Sequence, residues 1–197
     1  MKGHTDRLSD EGKIEVEFNK EERELTIYMN LEIIKYHRHR YNRWATYDPM
    51  GEYKVELKRL ITEAMETEDI VIPEEYMSMP IITNNEYFAV PVKSGNSLGK
   101  IALMFDNKIK RTKTPDIDNF AKTSYDVLNG IVWNDDNQIV ESKSKKLYGK
   151  EEGTILRIKY VPDHGYNEDE STDFRKLLKD GVITEEDLEH ARFIKDN

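Results

Sequence analysis

A chain of 197 residues that is 37% hydrophobic and 35% charged, where ordinary globular domains run at about 45–50% and about 25%, has room for one domain with a modest core and polar extensions. The absence of cysteine excludes disulfides, thiolate zinc and cysteine nucleophiles, and with no apolar run near the roughly 18 residues of a membrane span and no secretory-type stretch in residues 1–13 a cytoplasmic protein is expected. The net charge of −9 argues against a nucleic-acid partner only until it is located: residues 1–24 carry −3 and 163–197 carry −6, whereas 25–162 are neutral, with 20 basic and 20 acidic residues.

Composition therefore divides the chain into a polar N-terminal extension (1–24), a body (25–162) and an acidic C-terminal appendage (163–197). Leu25–Ile34 is rich in branched residues and reads as a strand entering the basic stretch Lys35–Trp44. Asp48-Pro49-Met50-Gly51 is a turn signal. Tyr53, Leu57, Leu60, Ile61 and Met65 then recur at helical spacing, which predicts an amphipathic helix to about Glu68. Residues 70–97 hold three prolines and yield only a short strand around Tyr87–Val92, while Lys100–Asn107 predicts another strand. Thr114-Pro115 as N-cap and first-turn proline, with Asn129-Gly130 as stop, bracket the next helix. One side of it carries Ile117, Phe120, Ala121, Ser124, Val127, Leu128 and Ile131, and the other Asp118, Lys122, Asp126 and Asn129. Gln138–Tyr148, a turn through Gly149–Gly153 and a returning strand Thr154–Val161 predict a hairpin. The order strand, helix, strand, helix, strand, strand implies an α/β fold, a mixed β-sheet packed by helices. Phe174–Lys179 and Thr184–Ile194 read as two short helices of the appendage, the second opened by a Thr184-x-x-Asp187 cap.

Chemistry concentrates in Thr114–Gln138, which reads TPDIDNFAKTSYDVLNGIVWNDDNQ. Asp116 and Asp118 in a first helical turn have a plain reading as caps that complement the macrodipole. Asp118 and Lys122 have one as an ordinary i, i+4 pair, and Asp135-Asp136 as a polar turn. Together they allow a second reading. If Asp136 returns beside Asp116 and Asp118, the crowded carboxylates need a cation. Magnesium, with its preference for oxygen ligands and its retained waters for substrate phosphate, suits them, and Lys122 could stabilise charge on a phosphodiester.

The pattern D-I-D-N-x-x-K, then D-V-L-N-G, then W-N-D-D-N-Q-I-V resembles the signature of the RusA type of crossover-junction endodeoxyribonucleases, small enzymes common in phages and prophages. A weaker resemblance runs over roughly residues 25–161. It implies an α/β homodimer that places two active sites on a four-way (Holliday) junction and nicks strands of like polarity by magnesium-dependent hydrolysis, with manganese as a possible substitute. By the same resemblance Asp116, Asp118 and Asp136 match the metal-binding acids and Lys122 the catalytic lysine, with Asp135 as an additional candidate ligand. Met29–Ile34 departs from the family's Pro/Ser/Asn-rich turn.

Three basic groups are candidate DNA contacts. Lys35, Arg38, Arg40 and Arg43 interleave with Tyr36, Tyr41 and Trp44, which suits phosphate contact with base stacking. Lys110 with Arg111, and Lys143 with Lys145, come from the other two. A solvated surface is the plain reading of each. Two rivals to the resolvase stay open: a non-catalytic structure-specific DNA-binding protein, and a flap or single-strand nuclease.

Overall fold

The computed structural model describes residues 14–31, 33, 40–41, 46–162 and 178–196. Residues 1–161 and 162–197 form two separate compact units.

In the first unit, β1 (Ile14–Asn19) and β2 (Glu24–Met29) pair antiparallel, and a two-residue ladder joins β3 (Arg40–Tyr41) to β4 (Thr46–Tyr47). Helix α1 (Gly51–Thr67) follows, then β5 (Ile81–Ala89), α2 (Leu98–Phe105), α3 (Ile117–Leu128), β6 (Ile139–Tyr148) and β7 (Gly153–Tyr160). The main sheet has five strands in the order β1-β2-β7-β5-β6; β5 and β6 are parallel and the other neighbours antiparallel. This is the mixed sheet with packed helices that the element order implied. The sheet takes in β1, whose residues composition assigns to the N-terminal extension. Glu15 and Glu17 raise the charge of the segment, yet they alternate with Val16, which is buried.

Strand periodicity sends Val16, Leu25, Ile27, Met29, Ile81, Tyr87, Leu156, Ile158 and Tyr160 into one buried face. Helices α1 and α3 supply the matching apolar side chains, Tyr53, Leu57, Ile61 and Met65 from one and Phe120, Val127 and Leu128 from the other. The four-residue spacing in α1 is the period read from the sequence. Helix α3 ends at Asn129, and Gly130 adopts φ +72°, a left-handed turn that any Cβ would strain.

Three expectations are corrected. Lys100–Asn107 forms no strand; it lies largely in α2, capped by Ser97, whose Oγ accepts from the Lys100 N–H at 3.3 Å. A short apolar run looks alike in both conformations, and the cap decides it. The predicted hairpin is two strands that do not touch: β6 and β7 are separated by β5, which pairs with both. The loop between them has only to cross one strand, about 10 Å at sheet spacing, well within reach of its length. The readable strand near Tyr87–Val92 begins earlier, at Ile81.

In the second unit, α4 spans Glu185–Asp196. The Thr184-x-x-Asp187 cap forms: Thr184 Oγ1 accepts from the Asp187 N–H at 3.1 Å, and Asp187 Oδ2 from the Thr184 N–H at 2.8 Å. The helix expected over Phe174–Lys179 lies mostly outside the described residues. Among the described residues no helix is long and apolar enough to cross a membrane.

Candidate active site

Helix α3 is the spine of the site. Its N-cap is Asp116, two residues later than the Thr114 cap expected from sequence, and the Asp116 side chain makes no capping hydrogen bond. The carboxylate is therefore not consumed by the helix end. Asp118, Lys122 and Asp126 follow at four-residue spacing, a single ridge with steps of about 6 Å. That ridge lies opposite Phe120, Ser124 and Val127, so the packing that buries one side of α3 presents the other.

Asp136 comes back to the Lys122–Asp126 end of this ridge from the turn Asp136–Gln138 that precedes β6. Burial holds its carboxyl above the ordinary carboxylate range, helped by the negative charges of Asp135 and Asp126 and by a side-chain hydrogen bond with Asp135; Lys122 opposes the shift. Asp135 also does what the polar-turn reading required, since its Oδ1 accepts from the Asn137 N–H at 2.9 Å. Two carboxylates within hydrogen-bond reach cannot both ionise without cost, and a proton or a cation between them removes it. Hard oxygen donors beside a strained carboxylate fit a divalent ion such as magnesium, which often takes only one or two protein carboxylates. Among the described residues no three acidic or histidine side chains converge closely enough to form a cage by themselves.

Asp116 and Asp118 line an open cleft of about 610 Å³ together with Asn107, Lys110, Lys145 and Lys146. Lys146 Nζ donates to the carbonyls of Lys113 and Pro115, both at 2.8 Å, and so fixes the loop that delivers Asp116. Arg111 also borders the cleft but is buried, its guanidinium 5.6 Å from the Phe120 ring centre and its Nη1 donating to the Tyr87 carbonyl at 3.4 Å. Strand alternation puts Lys143 and Lys145 on the face opposite α3, with ion pairs to Glu141 at 2.8 Å and Glu86 at 3.3 Å. Lys145 still reaches the cleft because β6 is an edge strand. Lys35, Arg38 and Arg43, and the side chain of Arg40, lie outside the described residues.

Several partners carry no role in the sequence analysis. Lys54 of α1 bridges Asp48 at 2.9 Å and Asp126 at 2.7 Å, tying α1 to the ridge. Its link to Asp126 spans 72 positions, which no local spacing announces. Asp126 itself was visible as the next i+4 step after Lys122. Lys146 was visible by parity: even-numbered β6 residues share the α3 face, as Ser144 does through its 3.4 Å bond from Asn85.

Against known proteins, part of the chain is 30% identical over 90 residues to a Bacillus subtilis (strain 168) protein described as uncharacterized protein YqaN, an overlap of 45% of this chain and 63% of that one. The chain thus spans less than two thirds of that relative's length. Residues 31–159 match the family described as Endodeoxyribonuclease RusA, a stretch that contains α3, the cleft, Asp136 and all but the first two strands of the sheet. With the match extending over more than half of its residues, the chain belongs to the RusA endodeoxyribonuclease family.

Proposed function

We propose that this chain is a magnesium-dependent endodeoxyribonuclease that resolves four-way DNA junctions by paired, symmetric nicks. The observation that carries the proposal is the ridge Asp118, Lys122, Asp126 with the crowded Asp136 beside it, next to a cleft rimmed by lysines, in a member of this family. Enzymes of the family are metal-dependent nucleases that act on branched DNA. Here Asp118 and Asp136 would hold the ion, with Asp116 and Asp135 as further oxygen donors and manganese as a substitute metal. When bound, such an ion supplies Lewis acidity toward a phosphoryl oxygen.

The remaining work belongs to the protein. Lys122, one turn from Asp118, places an ammonium where charge builds on the scissile phosphate and offsets the carboxylates that would otherwise repel it. Lys110, Lys145 and Lys146 at the cleft hold flanking phosphates and set register without reading bases. Arg111 stiffens the cleft wall from its seat on Phe120. The basic segment from Lys35 to Arg43, with Arg38 and Arg40 at its centre, would grip an arm in the same way. In a homodimer the two sites are related by a twofold axis, and a four-way junction has twofold symmetry too, so both sites can act at matching positions.

Labelled junction, flap, linear duplex and single-stranded DNA, each with and without magnesium, test the reading. The expected result is symmetric incision near the crossover that leaves ligatable duplexes, with linear duplex of the same sequence cut far more slowly. Binding without incision would favour a structure-specific binder, and preferred attack on flap or single strand would favour that nuclease class.

The metal has its own test. An ion at a hundred times its dissociation constant that binds only the folded state stabilises it by about 2.7 kcal/mol. Millimolar magnesium should therefore raise the melting temperature of the DNA-free protein. Asp136→Asn should lose most of that rise. A wild-type melting curve indifferent to magnesium and manganese would remove the proposed site.

A further inference from the structure

Gln138 belongs to the W-N-D-D-N-Q motif but neither its charge nor its place at the end of the turn gives it a part in the chemistry above. Its side chain is nevertheless the most heavily committed amide around the site. Oε1 accepts from the Asn134 N–H at 3.0 Å and the Asp135 N–H at 3.0 Å, and Nε2 donates to the Met77 carbonyl at 3.0 Å and the Met79 carbonyl at 2.9 Å. That uses both lone pairs and both protons of the amide. The two sets of partners come from segments about sixty positions apart.

Both ends of this clamp are anchored. On the Met77 side, the Tyr76 ring lies 5.2 Å from that of Tyr160, and the Val161 N–H donates to the Pro80 carbonyl at 2.9 Å, so the segment is bound to the end of β7. On the other side, the Asn134 N–H also reaches the Met77 carbonyl at 3.1 Å, and the Gln138 N–H donates to the Asp135 carbonyl at 3.2 Å, closing the turn on itself. Asp135 and Asp136 sit inside that closed turn. The backbone direction from which the Asp136 carboxyl departs is thus set by a side chain two residues further on.

We infer that Gln138 is the positioning residue of the metal site: it fixes the Asp135–Asp136 turn against the Met77–Met79 segment so that Asp136 meets the Lys122–Asp126 end of the ridge in one orientation. Gln138 touches neither DNA nor ion. The inference rests on the reading of Asp136 as a metal-holding residue. A primary amide is required, because only it offers two acceptor sites and two donors on one planar group. Glu keeps the bonds to Asn134 and Asp135 but turns negative oxygen toward two carbonyls; Leu keeps none.

The test compares wild type with Gln138→Glu and Gln138→Leu at a temperature well below all melting points. Supporting partners of metal-holding side chains typically contribute roughly 10- to 100-fold in metal affinity or activity. Both variants should show magnesium affinity weakened by about that factor in calorimetry of the DNA-free protein and a matching rise in the magnesium needed for half-maximal cleavage, while the uncharged Gln138→Leu keeps junction affinity in calcium equal to wild type. A purely structural role would lower the melting temperature and leave the magnesium dependence where it was, which overturns the inference. Should Gln138→Leu not fold, Gln138→Glu carries the test, since it preserves the turn's two N–H bonds. Amide exchange in the wild type adds a check free of substitutions: Asn134 and Asp135 N–H groups exchanging as fast as open-loop amides would also overturn it. If wild type cuts no junction, the nuclease reading fails; if it cuts and the variants cut with wild-type magnesium dependence, only the role of Gln138 fails.

Discussion

Replacing Asp118 or Asp136 by Asn should reduce junction cleavage by roughly 10²- to 10³-fold or more, the scale on which loss of one preorganised electrostatic group slows comparable reactions. Binding should move the other way. Each substitution keeps the side chain's shape and removes one negative charge near the path of a phosphate. A unit charge about 8 Å away is worth about 2 kcal/mol at an effective dielectric of 20, so junction affinity measured in calcium should be unchanged or tighter. Lys122→Ala should also cut slowly, with affinity at most modestly reduced. Gel-shift titration and single-turnover cleavage on one junction separate the two effects. Wild-type rates in both Asp variants would sink the site.

Asp136→Asn carries a further signature in metal-free buffer. The folded protein holds this carboxyl above its ordinary range. A group raised in that way supports the fold while it is protonated and loses that support as pH rises through its folded pKa, so at neutral pH without metal the ionised Asp136 destabilises the protein. The Asn variant should then melt at or above wild type in chelator at neutral pH, and the gap should close toward acid pH. With magnesium present the order should reverse.

The parts of this fold that were readable were those whose signals are local. Helix α1 shows its buried face at every fourth residue, α3 shows its stop in Asn129-Gly130, and α4 shows its cap in Thr184 and Asp187. The first half of strand β5 hid because its buried face is polar in the middle. Thr83 and Asn85 point inward with Ile81 and Tyr87, and their hydrogen-bonding groups meet the Tyr125 hydroxyl of α3 at 2.8 Å and 3.0 Å. Hydropathy alternation fails where a buried polar pair is satisfied by another element. The same network ties α3 to the sheet beneath it through hydroxyls, with Ser124 Oγ 3.2 Å from the Tyr87 hydroxyl.

The site divides along the same line. Asp118 and Lys122 could be placed on one face because helix spacing alone does so, while Asp116 falls one position outside the helix as its N-cap, and the candidate roles of all three rest on the motif's resemblance. What surrounds Asp136 could not. The charges acting on it include Asp126, which is held by Lys54 from another helix, and its turn is fastened by carbonyls of a proline-bounded segment that shows no helix or strand period. The order of strands mattered as well. A hairpin of β6 with β7 would have set Lys143 and Lys145 on a different neighbour; the inserted β5 pairs Lys145 with Glu86 and leaves Lys146 facing the loop of Asp116.

Trp133→Ala should cost about 3–5 kcal/mol of stability, the range for emptying a large aromatic site in a core. Trp133 is fully buried, stands edge-on to Tyr125 with ring centres 6.0 Å apart, and donates its indole N–H to the Asn129 side chain. The chain around it is pinned on both sides: the Gly130 N–H donates to the Trp133 carbonyl at 2.6 Å, and the Tyr160 hydroxyl donates to the Val132 carbonyl at 2.9 Å. Few atoms can move in to fill the void, so little of the loss is recovered by collapse. Against a total of about 5–15 kcal/mol for a native protein, a change of that size lowers the melting temperature by roughly 6–20 °C. Trp133→Phe keeps most of the volume and loses the indole hydrogen bond, worth about 1 kcal/mol, so it should melt much nearer wild type. Trp133 also ends the tether between α3 and the turn of Asp135 and Asp136, and loosening it should raise the magnesium needed for cleavage even where the variant is folded. Thermal melts of both variants decide the packing claim: a Trp133→Ala protein melting within about 3 °C of wild type, about 1 kcal/mol by the same conversion, would mean that the indole does not hold the core beneath the site.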